Sequence, residues 1–279
     1  MTKGRVLRSA GVALMAAALA GWHTNTSAQP AGLGIIRGQV HLTGKPPGNA
    51  IVRMGVDPMC ATVNAGKRVL QEAVMTTPDG DLANVFVSLQ GKFPAVAVPS
   101  EPVTIDQRGC VYVPRMAGAR VGQTLQVRNS DPLLHNVHTV STAGNEFNVG
   151  QPVAGMVYQF RLKGEETVLR LKCDIHRWMT AYVGVVTHPY FAVTGRAGMF
   201  EIKNVPAGNY TIRAWHERYG EVSQSVSVKP GTTTTLNLAY SGTEKAPTAG
   251  VQDLSVPSGL QGSMHAALIP LSGQPSAHP

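Results

Sequence analysis

The chain has 279 residues, a formal charge of +8 and 43% apolar residues, but only 14% charged ones, against about 25% in an average soluble protein. That apolar share supports a packed core and excludes a chain disordered throughout. Thirty glycines and 19 prolines punctuate the sequence too often for a helix bundle and favour many short strands.

The first segment reads as an export signal. Lys3, Arg5 and Arg8 precede an apolar stretch from Ala10 to Trp22, and Thr26-Ser27-Ala28 supplies small residues after it. Cleavage is expected after Ala28, with Ala20 as the second candidate. The competing reading is a membrane anchor, but thirteen apolar-stretch residues fall short of the roughly 20 that a span needs. Loss of residues 1–28 removes three cations and no acid, leaving +5. This excess is spread along the chain without a Lys/Arg block, so nothing supports nucleic-acid binding. No other apolar run approaches membrane length. A soluble mature chain without a membrane span is expected, periplasmic in a bacterium.

Beyond the signal, period-2 alternation recurs almost everywhere. Ile36, Gly38, Val40 and Leu42 alternate before the turn Gly44 to Gly48, and Leu82 to Leu89 reads as a strand after Pro78-Asp79-Gly80. Val103 to Ile105, Cys110 to Val113 and Thr124 to Arg128 continue the series. Met156, Tyr158, Phe160 and Leu162 share one face, as do Thr167, Leu169, Leu171 and Cys173. Phe200 and Ile202 lead through Pro206-Ala207-Gly208-Asn209 to Tyr210, Ile212 and Ala214. Val226 and Val228 precede Lys229-Pro230-Gly231, with Leu236 and Leu238 beyond it. Short runs with turn residues between them predict β-sandwiches. Asn64 to Met75 is the one stretch with helical character, and Val69 to Met75 is expected instead to pair with the strand after Asp79-Gly80. Residues 241–279 contain five prolines, five glycines and six serines with almost no periodicity, which predicts a disordered tail.

Three cysteines remain: Cys60, Cys110 and Cys173. An odd number in an oxidising compartment calls for one pair and one thiol with another task. Cys173 belongs to the motif below, which leaves Cys60 and Cys110 as the possible disulfide; the alternative is three inert thiols. The run Cys173-Asp174-Ile175-His176-Arg177-Trp178-Met179 places a thiolate, an imidazole and a thioether at the spacing Cys-x2-His-x2-Met. A loop this short between two strands turns three side chains toward one point. Soft sulfur donors with imidazole suit copper, and two His with one Cys and a weak axial Met make the electron-transfer geometry. A second imidazole is available in Asn129 to His138, where His135 and His138 lie three apart and face opposite sides of a straight strand. A closed zinc site from Cys173, His176, His135 and His138 is the competing reading, but it leaves the Met idle.

The segment Val121 to Val186 resembles the cupredoxins, small β-sandwich copper proteins such as plastocyanin and amicyanin. In that family the first ligand is a His followed by Asn-Val, as in His135-Asn136-Val137, and the rest come from a Cys…His…Met loop between the last two strands. The amicyanin loop has the same two-residue spacings. The resemblance implies one copper held by His135, Cys173, His176 and Met179, with His138 outside the set. It also implies that Asn136 ties the first ligand's strand to the Cys loop by a hydrogen bond behind the ligands. Trp178 is either apolar cover for the metal or part of a docking patch. Electrons would pass at the edge of His176. Ile175 and Arg177 stand where the related loops carry proline, so a looser loop and a cation near the metal are expected.

The flanks carry a second resemblance. Val193 to Ile202 with Val205 to Tyr210, and Ile36 to Val40 with Gly44-Lys45-Pro46, look like the carboxypeptidase regulatory-like (transthyretin-like) β-sandwich. The expected fold is all-β: a Greek-key cupredoxin sandwich plus a second small sandwich, with a cleaved signal at 1–28 and a disordered tail at 241–279. The flanking sandwich is assigned to 33–76 and 189–240, with the copper domain at 77–188 inserted in it or in tandem with it. No nucleophile–base pair is visible, so an enzyme is not expected. His41, His188 and His216 are expected to be surface or hydrogen-bonded residues. The implied function is one-electron transfer by a mononuclear blue-copper protein, with a redox partner such as a cytochrome c or a periplasmic dehydrogenase. The alternatives are copper binding and delivery without electron shuttling, and a surface-interaction sandwich with a structural metal.

Overall fold

A computed structural model describes Met1 and residues 32–244. The expected export signal and all but the start of the expected tail lie outside the described residues. Within them the fold is almost entirely β, in four sheets. One sheet is built on Leu33–Leu42, which runs antiparallel to Met199–Pro206 and parallel to Thr233–Thr235 and Leu238–Tyr240. A second has the order Phe191–Val193, Phe86–Gln90, Gly208–His216, Gly220–Val228. Their inner faces share one core, including Ile36, Val40, Val87, Ile202, Ile212 and Leu238. Phe86–Gln90 falls inside the 77–188 segment assigned to the copper domain, yet it pairs with Phe191–Val193 and Gly208–His216 of the flanking sandwich.

The other two sheets enclose a separate core. Met116–Arg120, Thr180–Val186, Glu166–Lys172, His135–Val140 and Asn148–Gln151 form one of them. Tyr112–Val113, Val103–Gln107, Thr124–Asn129 and Val157–Arg161 form the other. Leu125, Val127, Val137, Leu169, Leu171 and Val183 fill the space between them. The alternation of strand side chains puts Leu169, Leu171 and Cys173 on the same buried side, so the core strand delivers the thiol to the end of the sandwich. Burial of Leu169 and Leu171 contributes roughly 1.5–3 kcal/mol each.

The two sandwiches meet where Phe86, Met116, Val186 and Trp215 cluster. Gly118 and Gly184 allow that approach: a Cβ at Gly184 would stand 2.4 Å from the Phe86 ring, and one at Gly118 2.4 Å from the Phe191 ring. Arg115 and Glu217 form a largely buried ion pair across the same seam.

Residues 49–75 depart most from the sequence reading. The helix α1 spans Pro58–Val63, ahead of the stretch with helical character, and Asn64 ends it. Asp57 caps it by accepting from the Met59 and Cys60 N–H groups, with proline at its first turn. Val69 to Met75 forms no strand; Leu70 bridges Ile51, and the expected pairing with the chain beyond Gly80 is limited to its end, where the Ala83 N–H donates to the Met75 carbonyl at 2.9 Å and Thr76 bridges Leu82. A disulfide joins Cys60 in α1 to Cys110, 50 residues on, a closure that contributes about 4 kcal/mol in the chain-entropy view. Met54, Cys60, Cys110 and Leu133 make a small core of their own beside the end of the second sandwich.

Candidate metal centre

Two stretches converge at that end. The first is the turn Asn129 to Leu134. The Asn129 side chain is fully buried; its Oδ1 accepts from the Asp131 N–H at 3.0 Å and its Nδ2 donates to the Leu133 and Gln151 carbonyls, each at 2.9 Å. This rigid turn starts the strand His135–Val140 with His135 pointing inward, fully buried. His138 turns to the other face and binds the Asp174 carboxylate through Nδ1 at 2.8 Å.

The second stretch is the loop Cys173 to Met179. It closes on itself: the Cys173 N–H donates to the Met179 carbonyl at 3.3 Å, and the Met179 N–H to the His176 carbonyl at 2.8 Å. The His176 N–H donates to the Cys173 sulfur at 3.4 Å. Cys173, His176 and Met179 are all buried, and the donor atoms of His135, Cys173 and His176 lie within 4.8 Å of one another. Asn136 links the two stretches, accepting from the Asp174 N–H at 2.6 Å. Ile175 and Arg177, at the loop's tip, are exposed.

The imidazoles are oriented alike. His135 Nδ1 and His176 Nδ1 face each other at 3.0 Å. Each Nε2 meets a carboxylate: His135 that of Asp131 at 2.9 Å, and His176 that of Asp57 at 3.0 Å. The bond from His176 holds the Asp57 carboxyl below its usual range; at Asp131 burial pushes upward, but the His135 bond and the Cys110 and Gly109 N–H groups together hold the carboxyl below its usual range. An ionised carboxylate only accepts, so each Nε2 carries a proton and Nδ1 is the atom that each ring turns inward. Burial pushes the Cys173 thiol up, but His135, His176 and the N–H groups of Asn136 and His176 pull it down to about 6. The centre therefore offers a thiolate and two inward nitrogens, each backed by a carboxylate. This donor set and its outer bonding fit a soft metal ion.

Sequence reasoning missed both carboxylates. Asp131 sits four residues before His135 in the quoted run, whereas Asp57 is 119 residues from His176, with only its Asp-Pro capping signature to mark it. Asp57 also changes the expectation for His176, whose edge is not open to solvent: the side chain is 1% exposed, and Cys60 Sγ lies 3.5 Å from Nε2. The segment carrying α1 covers it. Trp178 is half-buried against the same ring, 5.1 Å between centroids, and donates from its indole to the Cys110 carbonyl at 2.8 Å.

Among the described residues, His41, His188 and His216 lie apart from this cluster. His41 faces Asp81 at 3.5 Å. His188 accepts from the Tyr190 N–H at 3.1 Å and His216 from the Arg218 N–H at 3.2 Å, both buried.

Residues 180–241 match the family model of the carboxypeptidase regulatory-like domain, starting within the strand Thr180–Val186 rather than at 189. Comparison with curated proteins gives no match. Among solved structures, a copper-containing nitrite reductase from Thermus scotoductus SA-01 is similar at 21% identity and a TM-score of 0.29, over 34% of this chain and 24% of that one. A purple cupredoxin from Nitrosopumilus maritimus is 22% identical, TM-score 0.26, over 29% of this chain and 97% of its own. A copper(I) form of an amicyanin mutant is 20% identical, TM-score 0.27, over 36% and 97% respectively. The chain thus spans about a quarter of the nitrite reductase and nearly all of the two smaller proteins.

Proposed function

We propose that this chain is a periplasmic mononuclear copper protein that carries single electrons between redox partners and is not itself an enzyme. The observation that carries the reading is the pair of Nδ1 atoms facing each other at 3.0 Å beside the Cys173 sulfur, with both Nε2 atoms tied to carboxylates. His135, Cys173, His176 and Met179 would hold the ion. Bound copper supplies a one-electron couple that thiolate ligation links strongly to the protein.

The chain's own residues keep the donors still. Asn136, Asp131 and Asp57 lock ring and loop positions, so the geometry changes little when charge arrives or leaves. Apolar Leu169, Leu171 and Val137 exclude water behind the thiolate. All four donors are buried, which supports an ion retained through its cycle over one handed to a recipient, since delivery needs an exposed donor. Val56, Met59, Leu134 and Ile175 are exposed on the segments next to the centre and would give an apolar face to a partner such as a cytochrome c or a dehydrogenase. The proposed arrangement is a copper sandwich inserted within the flanking regulatory-like one, in accord with a core drawn from 103–185 between chain segments that share the other core.

The test is the full chain loaded with Cu(II). Intense thiolate-to-copper absorption that ascorbate bleaches and an oxidant restores is expected, and it should vanish in Cys173→Ala while the fold persists. Colour retained in that variant overturns the ligand assignment. A wild-type protein that binds only colourless, readily exchanged Cu(I) favours delivery.

A further inference from the structure

The Cys60–Cys110 disulfide lies inside the bonding network of the metal centre. The Cys110 N–H donates to Asp131 Oδ2 at 2.7 Å, and the same oxygen accepts from His135 Nε2 at 2.9 Å. On the other side, the Cys60 N–H donates to Asp57 Oδ1 at 3.1 Å, while Asp57 Oδ2 accepts from His176 Nε2 at 3.0 Å. Each half-cystine thus anchors the carboxylate that orients one imidazole. The S–S bond closes the ring between them.

Elements far apart in sequence meet here. Asp57 and α1 come from the segment ahead of the copper-type sandwich, and Asp131 and His135 from within it. Asp131 Oδ1 also takes the Gly109 N–H at 2.7 Å, so the loop bearing Cys110 has two of its backbone donors on one carboxylate. Trp178, inside the metal loop, reaches the Cys110 carbonyl. Both cysteines are fully buried, which makes the bond a permanent tie and not one open to thiol exchange.

We infer that the Cys60–Cys110 disulfide is a positioning clamp of the metal centre: it holds the two carboxylate–imidazole pairs at fixed separation, so that both Nδ1 atoms point at one ion. The inference rests on the reading of His135 and His176 as metal donors. It assigns Asp57 and Asp131 the roles of positioning residues. Outer partners of this kind commonly change metal affinity 10–100-fold when removed.

The experiment uses the full chain as Cys60→Ala/Cys110→Ala and, separately, as Asp57→Asn. An amide at 57 still caps α1 through its oxygen, but its NH2 opposes the His176 Nε2–H. The first readout needs no metal: exchange of the two imidazole Nε2–H protons by nitrogen-resolved NMR. In the double variant both should exchange at least tenfold faster than in wild type; in Asp57→Asn only that of His176 should. The second readout is Cu(II) affinity with the electron-spin-resonance spectrum, expected to weaken 10–100-fold and to change shape. A folded double variant with wild-type proton exchange, affinity and spectrum overturns the clamp. If the double variant does not fold, Asp57→Asn decides: unchanged His176 exchange and an unchanged copper spectrum overturn it. Should the wild-type protein bind no copper, the proposed function fails, while the proton-exchange comparison still tests the clamp.

Discussion

Asn136 reaches from the strand His135–Val140 to accept the Asp174 N–H at 2.6 Å, while its own Nδ2 donates to Asn148 Oδ1 at 2.6 Å and to Asp174 Oδ2 at 3.2 Å. One side chain therefore fastens the residue after Cys173 to the residue after His135. Asn136→Ala removes that link and leaves the Asp174 N–H without its partner. A stability loss of about 1–3 kcal/mol and copper affinity lowered roughly 10-fold or more are expected, read by denaturant melts and metal competition. Wild-type affinity in the variant would make Asn136 a purely structural bridge.

Met179 lies buried in the core that holds Cys173. A thioether favours Cu(I), and an amide oxygen favours Cu(II). Met179→Gln is expected to keep copper and lower the reduction potential, measured by voltammetry. An identical potential would remove Met179 from the donor set.

Gly184 is where a side chain would strike the Phe86 ring. Gly184→Ala should force the two sandwiches apart or twist Phe86 off its rotamer, costing about 1–3 kcal/mol. The copper spectrum should stay the same, because Gly184 lies toward the end of the neighbouring strand away from the loop that carries Cys173. Thermal unfolding with and without copper separates the two effects.

His216 is fully buried, and burial, helped by the Arg115 charge, depresses its pKa to about 3. The unfolded chain takes up this proton below its ordinary pKa near 6.5, and the folded chain does not until about 3. Stability from neutral His216 is thus complete above pH 6.5 and lost progressively as pH falls toward 3, by on the order of 5 kcal/mol in all. Stability of His216→Phe, compared with wild type between pH 7 and 4, should fall less steeply. Parallel slopes would refute the buried neutral state.

Much of the fold was legible as local pattern. The alternation through Leu169, Leu171 and Cys173 identified a core strand ending at the thiol, and the Cys-x2-His-x2-Met spacing marked a loop that could gather donors. His135 and His138 were separable because residues three apart on a strand face opposite ways. The helix α1 was not legible, since six residues with a Pro start carry no 3.6-residue periodicity to detect. Nor was the sheet that Phe86–Gln90 joins, because its alternation suits either sandwich.

The order and chemical type of the donors are written in the sequence, since short-range spacing and strand alternation decide which side chains leave a strand on the same side. Only the tertiary structure decided that Asp57 closes over His176, and that Cys60 and Cys110 meet beside both imidazoles. Those contacts join segments separated by 50 to 119 residues. They depend on how the two cores pack and where the segment between them is laid down, which no local period encodes.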